Sequence, residues 1–479
     1  MRMRLAPFCP GPEASPALSR QARPCCGLSC GRPARVPAGP TPHAAKEQSA
    51  EGPNLGSWTR ARPGWPACAS ARPPGGKRAM DAKRRARALK RGLSREWQAE
   101  PMLGSYYGEE EVEAVVRTIR ASMDPSVGFG FICEEIEEFE RAFADYIGTK
   151  HAVSINGAGT GLDMAIMCLD LEPGDEVIVP SINFVAAAQA VIGQRGQVVL
   201  CEVDEDTLCA DPEDVEKRVT PRTRAIFPTH MNGLSAAMDD LQEIAERHPH
   251  PKYGALKVIG DGARAVGGAY KGTKIGKKGW MNVFSFHTMK NMTTLGEGGA
   301  VTTDDDAIVP RLRGIRQFGW ECRGWGSNYK MTKTQAAVGL VQLGRLEGMI
   351  ESRRRLAFAR NDMLEGCPGI DVPREPQGYR HSYYLYTLRA KPDWAGERRD
   401  RVMAILKEEH GVDCGVFNPP PHTTVEWIQK HTAGQELPRS VELARRIFCV
   451  PIHPCMSDED NEYIAAAVWD AAERTAKGA

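Results

Sequence analysis

The sequence predicts an α/β protein, a mainly parallel mixed sheet flanked by helices, with a smaller α+β domain at its C-terminal end. Three features carry that expectation. Between His151 and Asp261, apolar segments of strand length alternate with amphipathic segments of helix length. A glycine-rich turn, Asn156 to Gly161, joins the first of these strands to the helix after it. Beyond Met331 the pattern changes to a long helical run followed by short mixed elements. Such alternation arises when crossover helices cover both faces of a sheet whose strands run mostly one way.

At 479 residues the chain is too long for one hydrophobic core, and it divides by composition. Residues 1–95 hold 19 Lys and Arg against 4 Asp and Glu, a net of +15, while the whole chain carries only +1. Up to Met80 the segment also contains 14 of the 34 prolines. A stretch so poor in periodic apolar residues cannot bury enough surface to offset its ordering entropy, so 1–95 is expected to be disordered. It reads as a transit peptide, a basic arm for nucleic acid, or sequence upstream of a start at Met80; proline-broken sequence suits a targeting helix poorly and favours the last. The cluster Lys83 to Arg91 reads as a solvated helix face. A large α/β domain is expected over 96–345 and a small one over 346–479.

Order should begin near Tyr106, because Val112, Val115, Val116 and Ile119 recur at helical spacing. EEIEEFERAFADYI repeats the pattern and Gly148 stops it. HAVSI, EVIVP, VVLCEV, RAIFPTH and KVIGD then read as strands, separated by GLDMAIMCLDL, VAAAQAVIG, DPEDVEKRV and MDDLQEIAERH as helices. After Lys290 the pattern becomes helical, and MTKTQ through NDML reads as one long helix or two abutting ones. In the C-terminal part YYLYTLRA is a strand candidate, and RDRVMAILKEEHG and NEYIAAAVWDAAERT are helices.

The near-neutral charge demands no nucleic acid, no run approaches the ~18 apolar residues of a membrane helix, and no apolar region follows the first arginines. The 14 cysteines are scattered without a zinc spacing and read as reduced thiols, so a cytoplasmic protein is expected. His248 and His250 read as a loop, with no carboxylate or cysteine at ligand spacing.

Three stretches carry chemistry. Ser154 to Gly161 stands between a strand and a helix, where glycines let backbone N–H groups approach an anion and the helix N-terminus adds partial positive charge. A dinucleotide site is the rival reading, but Leu162 occupies the place of its third glycine. Asp261 ends an apolar strand, at the sheet edge where ligands bind and where a carboxylate can pair with a cationic ring nitrogen. Phe284 to Lys290 sets Ser285 and a lysine just after another strand; a partly desolvated lysine is nucleophilic near neutrality. Phe184 supplies an aromatic ring after a strand; His230, at a strand end, is expected to face the same crevice, and His287, three positions before Lys290, reads as a ligand contact or a packing residue. Trp280, Trp320 and Trp325 read as core packing.

From about Gly104 to Glu473 the chain resembles the DegT/DnrJ/EryC1/StrS family of sugar aminotransferases. The matching phrases are EEFERAFADYIGTKHAVS, LEPGDEVIVPSINFVAAAQAV, VIGDGARAVGGAYKG, FSFHTMKNMTTLGEGGAVTTDD and GSNYKMTKTQAAVGLVQL. The resemblance implies the fold-type I architecture of pyridoxal 5′-phosphate enzymes and transfer of an amino group from glutamate or glutamine to a keto-sugar or keto-cyclitol. Under it, Lys290 would hold the cofactor as a Schiff base and carry the proton, Asp261 would pair with the pyridine nitrogen, and Phe184 would stack on the ring. Gly159, Thr160 and Ser285 would hold the phosphate, and Asn328 would reach the phosphate of a second subunit, implying a homodimer with shared sites. Arg264 stands where a glutamine often contacts the ring hydroxyl, so it would serve that oxygen or an anionic substrate. A deoxysugar dehydratase on the same scaffold would carry a histidine at the position of Lys290, and a non-catalytic cofactor-binding regulator would not need the intact set.

Overall fold

The computed structural model describes residues 79–478. Helices α1 (Ala82–Arg91), α2 (Glu109–Ala121) and α3 (Glu134–Ile147) precede the sheet. The expected alternation follows as β1 (His151–Ile155), α4 (Ala158–Met167), β2 (Glu176–Pro180), α5 (Ala186–Gly193), β3 (Gln197–Cys201), α6 (Pro212–Arg218), β4 (Thr223–Ile226), α7 (Met238–Arg247) and β5 (Lys257–Asp261). After the short β6 (Ala269–Tyr270) and β7 (Thr273–Lys274) come β8 (Met281–Ser285), β9 (Gly299–Thr303), α8 (Val309–Arg316) and α9 (Lys333–Met363). The C-terminal part contains β10 (Ile370–Asp371), β11 (Tyr379–Arg380), β12 (Tyr386–Ala390), α10 (Glu397–Glu408), α11 (Pro421–Thr424), α12 (Glu426–His431), α13 (Pro438–Ala444), β13 (Ile447–Val450) and α14 (Asp458–Ala476).

Seven strands form the main sheet in the order β1-β9-β8-β5-β4-β2-β3. Neighbours from β8 through β3 pair in parallel, whereas β9 runs antiparallel to both β1 and β8. The helical reading after Lys290 is therefore corrected: β9 intervenes, and its residues are small, so Val301 is its one large apolar side chain. Because β1 lies across β9 from β8, the carboxyl ends of β1, β8, β5, β4 and β2 all fall on one edge.

Strand periodicity assigns side chains to the two faces. Val153, Val177, Val179, Val283 and Val301 pack under α4 and α5, while Ile178, Ile226 and Val258 meet Leu241 and Ile244 of α7. Phe139 and Phe143 of α3 cover Ala152, Phe284 and Ala300. Each fully buried Val, Ile, Leu or Phe among them contributes about 1.5–3 kcal/mol. Gly161 sets the closeness of α4, since a Cβ there would lie 2.5 Å from Ile155 Cδ1 and 2.7 Å from Val283 Cγ1.

The expected disorder of 1–95 is corrected for residues 79–95, which are described with α1 formed; residues 1–78 lie outside the described residues. The reason is non-local charge. Arg84 and Arg91 pair with Glu462 on α14, Arg85 pairs with Glu473 at 2.7 Å, and the Arg85 guanidinium lies 4.5 Å from the centre of the Trp469 ring. Met80, Ala88 and Trp97 are buried in the same cluster, so the basic face counted as solvated is docked on an acidic helix.

α9 is one uninterrupted helix of 31 residues, so the expected boundary at 345/346 falls inside it. Thr332 caps its start reciprocally with Gln335. Beyond it, the antiparallel sheet β10-β12-β13 packs with α10 and α14 around Leu388, Phe448, Val402 and Ile464. The fully buried Arg353 of α9 donates to the carbonyls of Tyr383 (3.1 Å), Ile452 (3.1 Å) and Gly104, tying the N-terminal segment to the small domain.

Candidate active site

The turn after β8 carries Lys290 to the carboxyl edge of the sheet. It is closed by the Lys290 N–H donating to the His287 carbonyl at 2.9 Å and the Phe286 N–H donating to the Gly298 carbonyl at 2.8 Å. Lys290 Nζ donates to the Tyr384 hydroxyl at 3.1 Å and lies 4.4 Å from that ring's centre. Burial pushes the Lys290 ammonium down to about 7; Arg264 acts in the same direction, while Glu100, Asp261 and Glu297 oppose it. A large share of this lysine is therefore a free amine near neutrality, the state a nucleophile or proton acceptor needs.

Asp261 ends β5 on the same edge and is 4% exposed. Its Oδ1 accepts the Ala263 N–H at 3.0 Å. Burial holds this carboxyl above its usual range, opposed by the Ala263 N–H, Arg264 and Lys290. Asp261, at the end of β5, and Lys290, on the turn after β8, stand at the same carboxyl edge of adjacent parallel strands. Arg264 joins them there, buried, 5.6 Å from the centre of the Tyr384 ring and donating to Asn232 Oδ1 at 3.4 Å.

The anion cradle is the start of α4. Gly157 stands at its N-cap and no side chain caps the helix, so the N–H groups of its first turn are free. Thr160 Oγ1 donates to Asn156 Oδ1 at 2.9 Å. A Cβ at Gly299 would lie 3.0 Å from Ala158 N, which shows how closely β9 approaches the cradle, whereas one at Gly159 would meet nothing within 4 Å. Ser285, paired with Gly299 across the sheet, is buried beside this point, its Oγ accepting the His287 N–H at 3.2 Å. Phe184 stands just before α5 with 56% of its surface exposed, a bare ring on the ligand edge.

These residues fit pyridoxal 5′-phosphate. A near-neutral amine, a buried carboxylate, a free helix N-terminus and an exposed aromatic ring match its aldehyde, ring nitrogen, phosphate and ring face. Three buried polar atoms without a partner, Ser181 Oγ, Asn183 Oδ1 and Thr229 Oγ1, lie just past the ends of β2 and β4 on this edge. Leaving each unsatisfied costs about 1–3 kcal/mol, which a polar ligand would recover.

His230 is placed differently from the expectation that it faces the crevice. Its Nδ1 accepts the Ala236 N–H at 3.1 Å, so Nε2 carries the proton and donates to Asn282 Oδ1 at 3.3 Å. Burial pushes it down to about 4, and it packs on the Cβ side of Gly260, the face of β5 opposite to Asp261. His287 stays on the lysine turn, 3.7 Å from Glu297, with Nδ1 accepting the Met289 N–H at 3.4 Å. Asn328 is exposed and its Oδ1 accepts from Lys330.

Two residues escaped the sequence reading. Tyr384 sits in a phrase read wholly as strand, yet β12 begins at Tyr386 and Tyr383 turns the chain with φ 48°. Glu100 accepts the Tyr384 hydroxyl at 2.7 Å from the segment expected to precede all order.

Residues 109–469 match the model of the DegT/DnrJ/EryC1/StrS aminotransferase family. The chain is 34% identical over 375 residues to dTDP-3-amino-3,4,6-trideoxy-alpha-D-glucose transaminase of Streptomyces venezuelae, covering 76% of this chain and 96% of that protein. It is 35% identical over 340 residues to GDP-perosamine synthase of Caulobacter vibrioides, covering 70% and 89%. The crystal structure of S. venezuelae DesV in complex with a ketimine intermediate superposes with a TM-score of 0.70 at 34% identity, covering 76% of this chain and 95% of that one.

Proposed function

The chain belongs to the DegT/DnrJ/EryC1/StrS aminotransferase family and is a pyridoxal 5′-phosphate-dependent aminotransferase; from that premise we propose that it moves an amino group from glutamate or glutamine to a nucleotide-linked keto-sugar or a keto-cyclitol in amino-sugar biosynthesis. The observation that carries the chemistry is the Lys290 amine, held on the Tyr384 hydroxyl at 3.1 Å, on the same sheet edge as the buried Asp261 that ends the adjacent strand. The sugar class is supported by the two relatives, whose names specify a dTDP-linked amino-sugar transaminase and a GDP-perosamine synthase.

Bound at this edge, pyridoxal 5′-phosphate supplies a carbonyl that receives the amino group and a conjugated ring that takes up the electron pair of a broken C–H bond. Lys290 would anchor it and, as a free amine, would carry the proton between the donor's Cα and the cofactor. The Asp261 carboxylate would pair with the ring nitrogen and favour its protonated form. Ser285 and the N–H groups at Gly159 and Thr160 would hold the phosphate, and Phe184 would cover the ring face. Arg264 donates to the ring hydroxyl oxygen or binds the carboxylate of the amino donor. The acceptor half runs the same proton movements in reverse.

The working unit in this proposal is a homodimer, with Asn328 of each subunit reaching the phosphate held by the other. Supporting it, Phe131, Phe318, Trp320 and Trp325 are exposed around Asn328, with the Phe131 and Trp320 ring centres 5.5 Å apart. The expected core role is thus corrected for Trp320 and Trp325, while Trp280 is partly buried with its N–H on Asp305. Exposed aromatic patches of this kind mark association surfaces. Action in the cytoplasm is part of the same proposal; among the described residues no helix is long and apolar enough to cross a membrane.

Mixing the purified holoenzyme with glutamate or glutamine should bleach its visible band as the aminated cofactor accumulates. A nucleotide-linked keto-sugar or a free keto-cyclitol should then restore the band. Restoration by simple 2-keto acids alone, across a panel of both acceptor classes, would contradict the proposed substrate.

A further inference from the structure

Glu100 reaches the lysine from outside the family-matched residues 109–469. It stands in a strap, residues 97–104, fixed along its length. Trp97 Nε1 donates to Asp460 at 2.8 Å, the Ala99 N–H to Asp413 at 2.9 Å, and the Thr288 hydroxyl to the Met102 carbonyl at 2.9 Å. The Gly104 N–H donates to the Thr288 carbonyl at 2.9 Å. The strap lies directly on the backbone of the lysine turn: a Cβ at Gly104 would fall 1.9 Å from the Met289 carbonyl oxygen and 2.5 Å from that of Lys290. On its other side Glu100 lines a cavity of about 730 Å³ with Arg95, Trp97, His410 and Asp413, so one flank of the carboxylate keeps polar company.

We propose that Glu100 is a positioning residue for Lys290, acting through the Tyr384 hydroxyl. A tyrosine hydroxyl has one proton to give, and an ionised carboxylate can only accept. Tyr384 therefore donates to Glu100 at 2.7 Å, and its oxygen is left to accept the N–H of Lys290 at 3.1 Å. That polarity leaves the lone pair of the amine free for the donor's Cα proton. Without Glu100 the hydroxyl can turn and donate to the amine, tying up the lone pair the reaction needs. The inference rests on Lys290 being the working amine, as proposed above.

The charged and titratable groups facing Lys290 are Asp261 and Arg264 from the sheet edge, His287 and Glu297 from its own turn, Tyr384, and Glu100 from the strap. Of these, Glu100 is a negative charge no more than about 6 Å away, close enough to favour the ammonium by about one unit. Its removal lowers the titration midpoint of Lys290 in two ways: the direct charge is lost, and the Tyr384 hydroxyl, released, can donate to the free amine; only the second needs Tyr384.

The test uses the full-length holoenzyme loaded with pyridoxamine 5′-phosphate, in which Lys290 is a free amine, and trace labelling with acetic anhydride across pH, read by peptide mass spectrometry. Glu100→Gln should lower the labelling midpoint of Lys290 by about one unit. In a Tyr384→Phe background the same substitution should shift it less, because only the direct charge effect remains. A midpoint unmoved by Glu100→Gln, or an equal shift in both backgrounds, would overturn the inference. Should Glu100→Gln fail to fold, Tyr384→Phe alone decides: a lowered midpoint supports the chain of contacts and an unmoved one refutes it. A wrong assignment of the working lysine would show separately, as a cofactor adduct on another residue.

Discussion

Lys290→Ala should abolish amino transfer while leaving the fold intact. In the proposed mechanism the substitution removes the anchor for the carbonyl and the proton carrier together, and positioned proton transfer alone accounts for about 10²–10⁴-fold in rate. A fall of at least about 10⁴-fold in each half-reaction is therefore expected. Stability should change little, because the one side-chain hydrogen bond lost is that to Tyr384, worth about 1 kcal/mol, and burial already disfavours the ammonium. Stopped-flow absorbance with the amino donor and a thermal melt of the same sample check both halves. Unfolding, rather than inactivity in a folded protein, would show that Lys290 serves packing.

Asp261→Asn should cost about 10²–10³-fold in rate, the usual price of losing one fixed electrostatic partner. The shape is kept, since an asparagine oxygen can still accept the Ala263 N–H that Asp261 Oδ1 accepts at 3.0 Å. In the proposed role, what is lost is the negative charge that favours a protonated ring nitrogen, so electron withdrawal from the breaking C–H bond should weaken. Binding of the cofactor should survive, because Lys290 and the start of α4 hold its other end. Single-turnover rates with a Cα-deuterated donor distinguish this from a binding defect: the isotope effect should rise as C–H cleavage becomes slower. An unchanged rate would remove Asp261 from the reaction.

Features set by local pattern were legible in the chain alone. The alternation from β1 to β5, the glycines at the start of α4 and the strand ends at Asp261 and Ser285 each follow from short-range periodicity, and the structure has them where expected. What stayed hidden depended on distant partners. α1 looked unstable because its arginines were counted without Glu462 and Glu473, which meet them from the far end of the chain. β9 was missed because its small residues carry little hydrophobic pattern of their own and are buried only between β1 and β8. Tyr384 and Glu100 lie 284 positions apart and have ordinary neighbours in sequence, so nothing local ties either to the lysine. His230 was misread twice: the strand was carried through it although β4 stops at Ile226, and its side chain turns to the opposite face, where Asn282 and Ala236 satisfy it.

Borohydride reduction of the holoenzyme, followed by peptide mapping, tests most directly whether amine, carboxylate and anion cradle converge on one ligand. The expected result is a single phosphopyridoxyl adduct on Lys290, with Asp261→Asn still labelled at the same residue. An adduct on any other lysine would contradict the account.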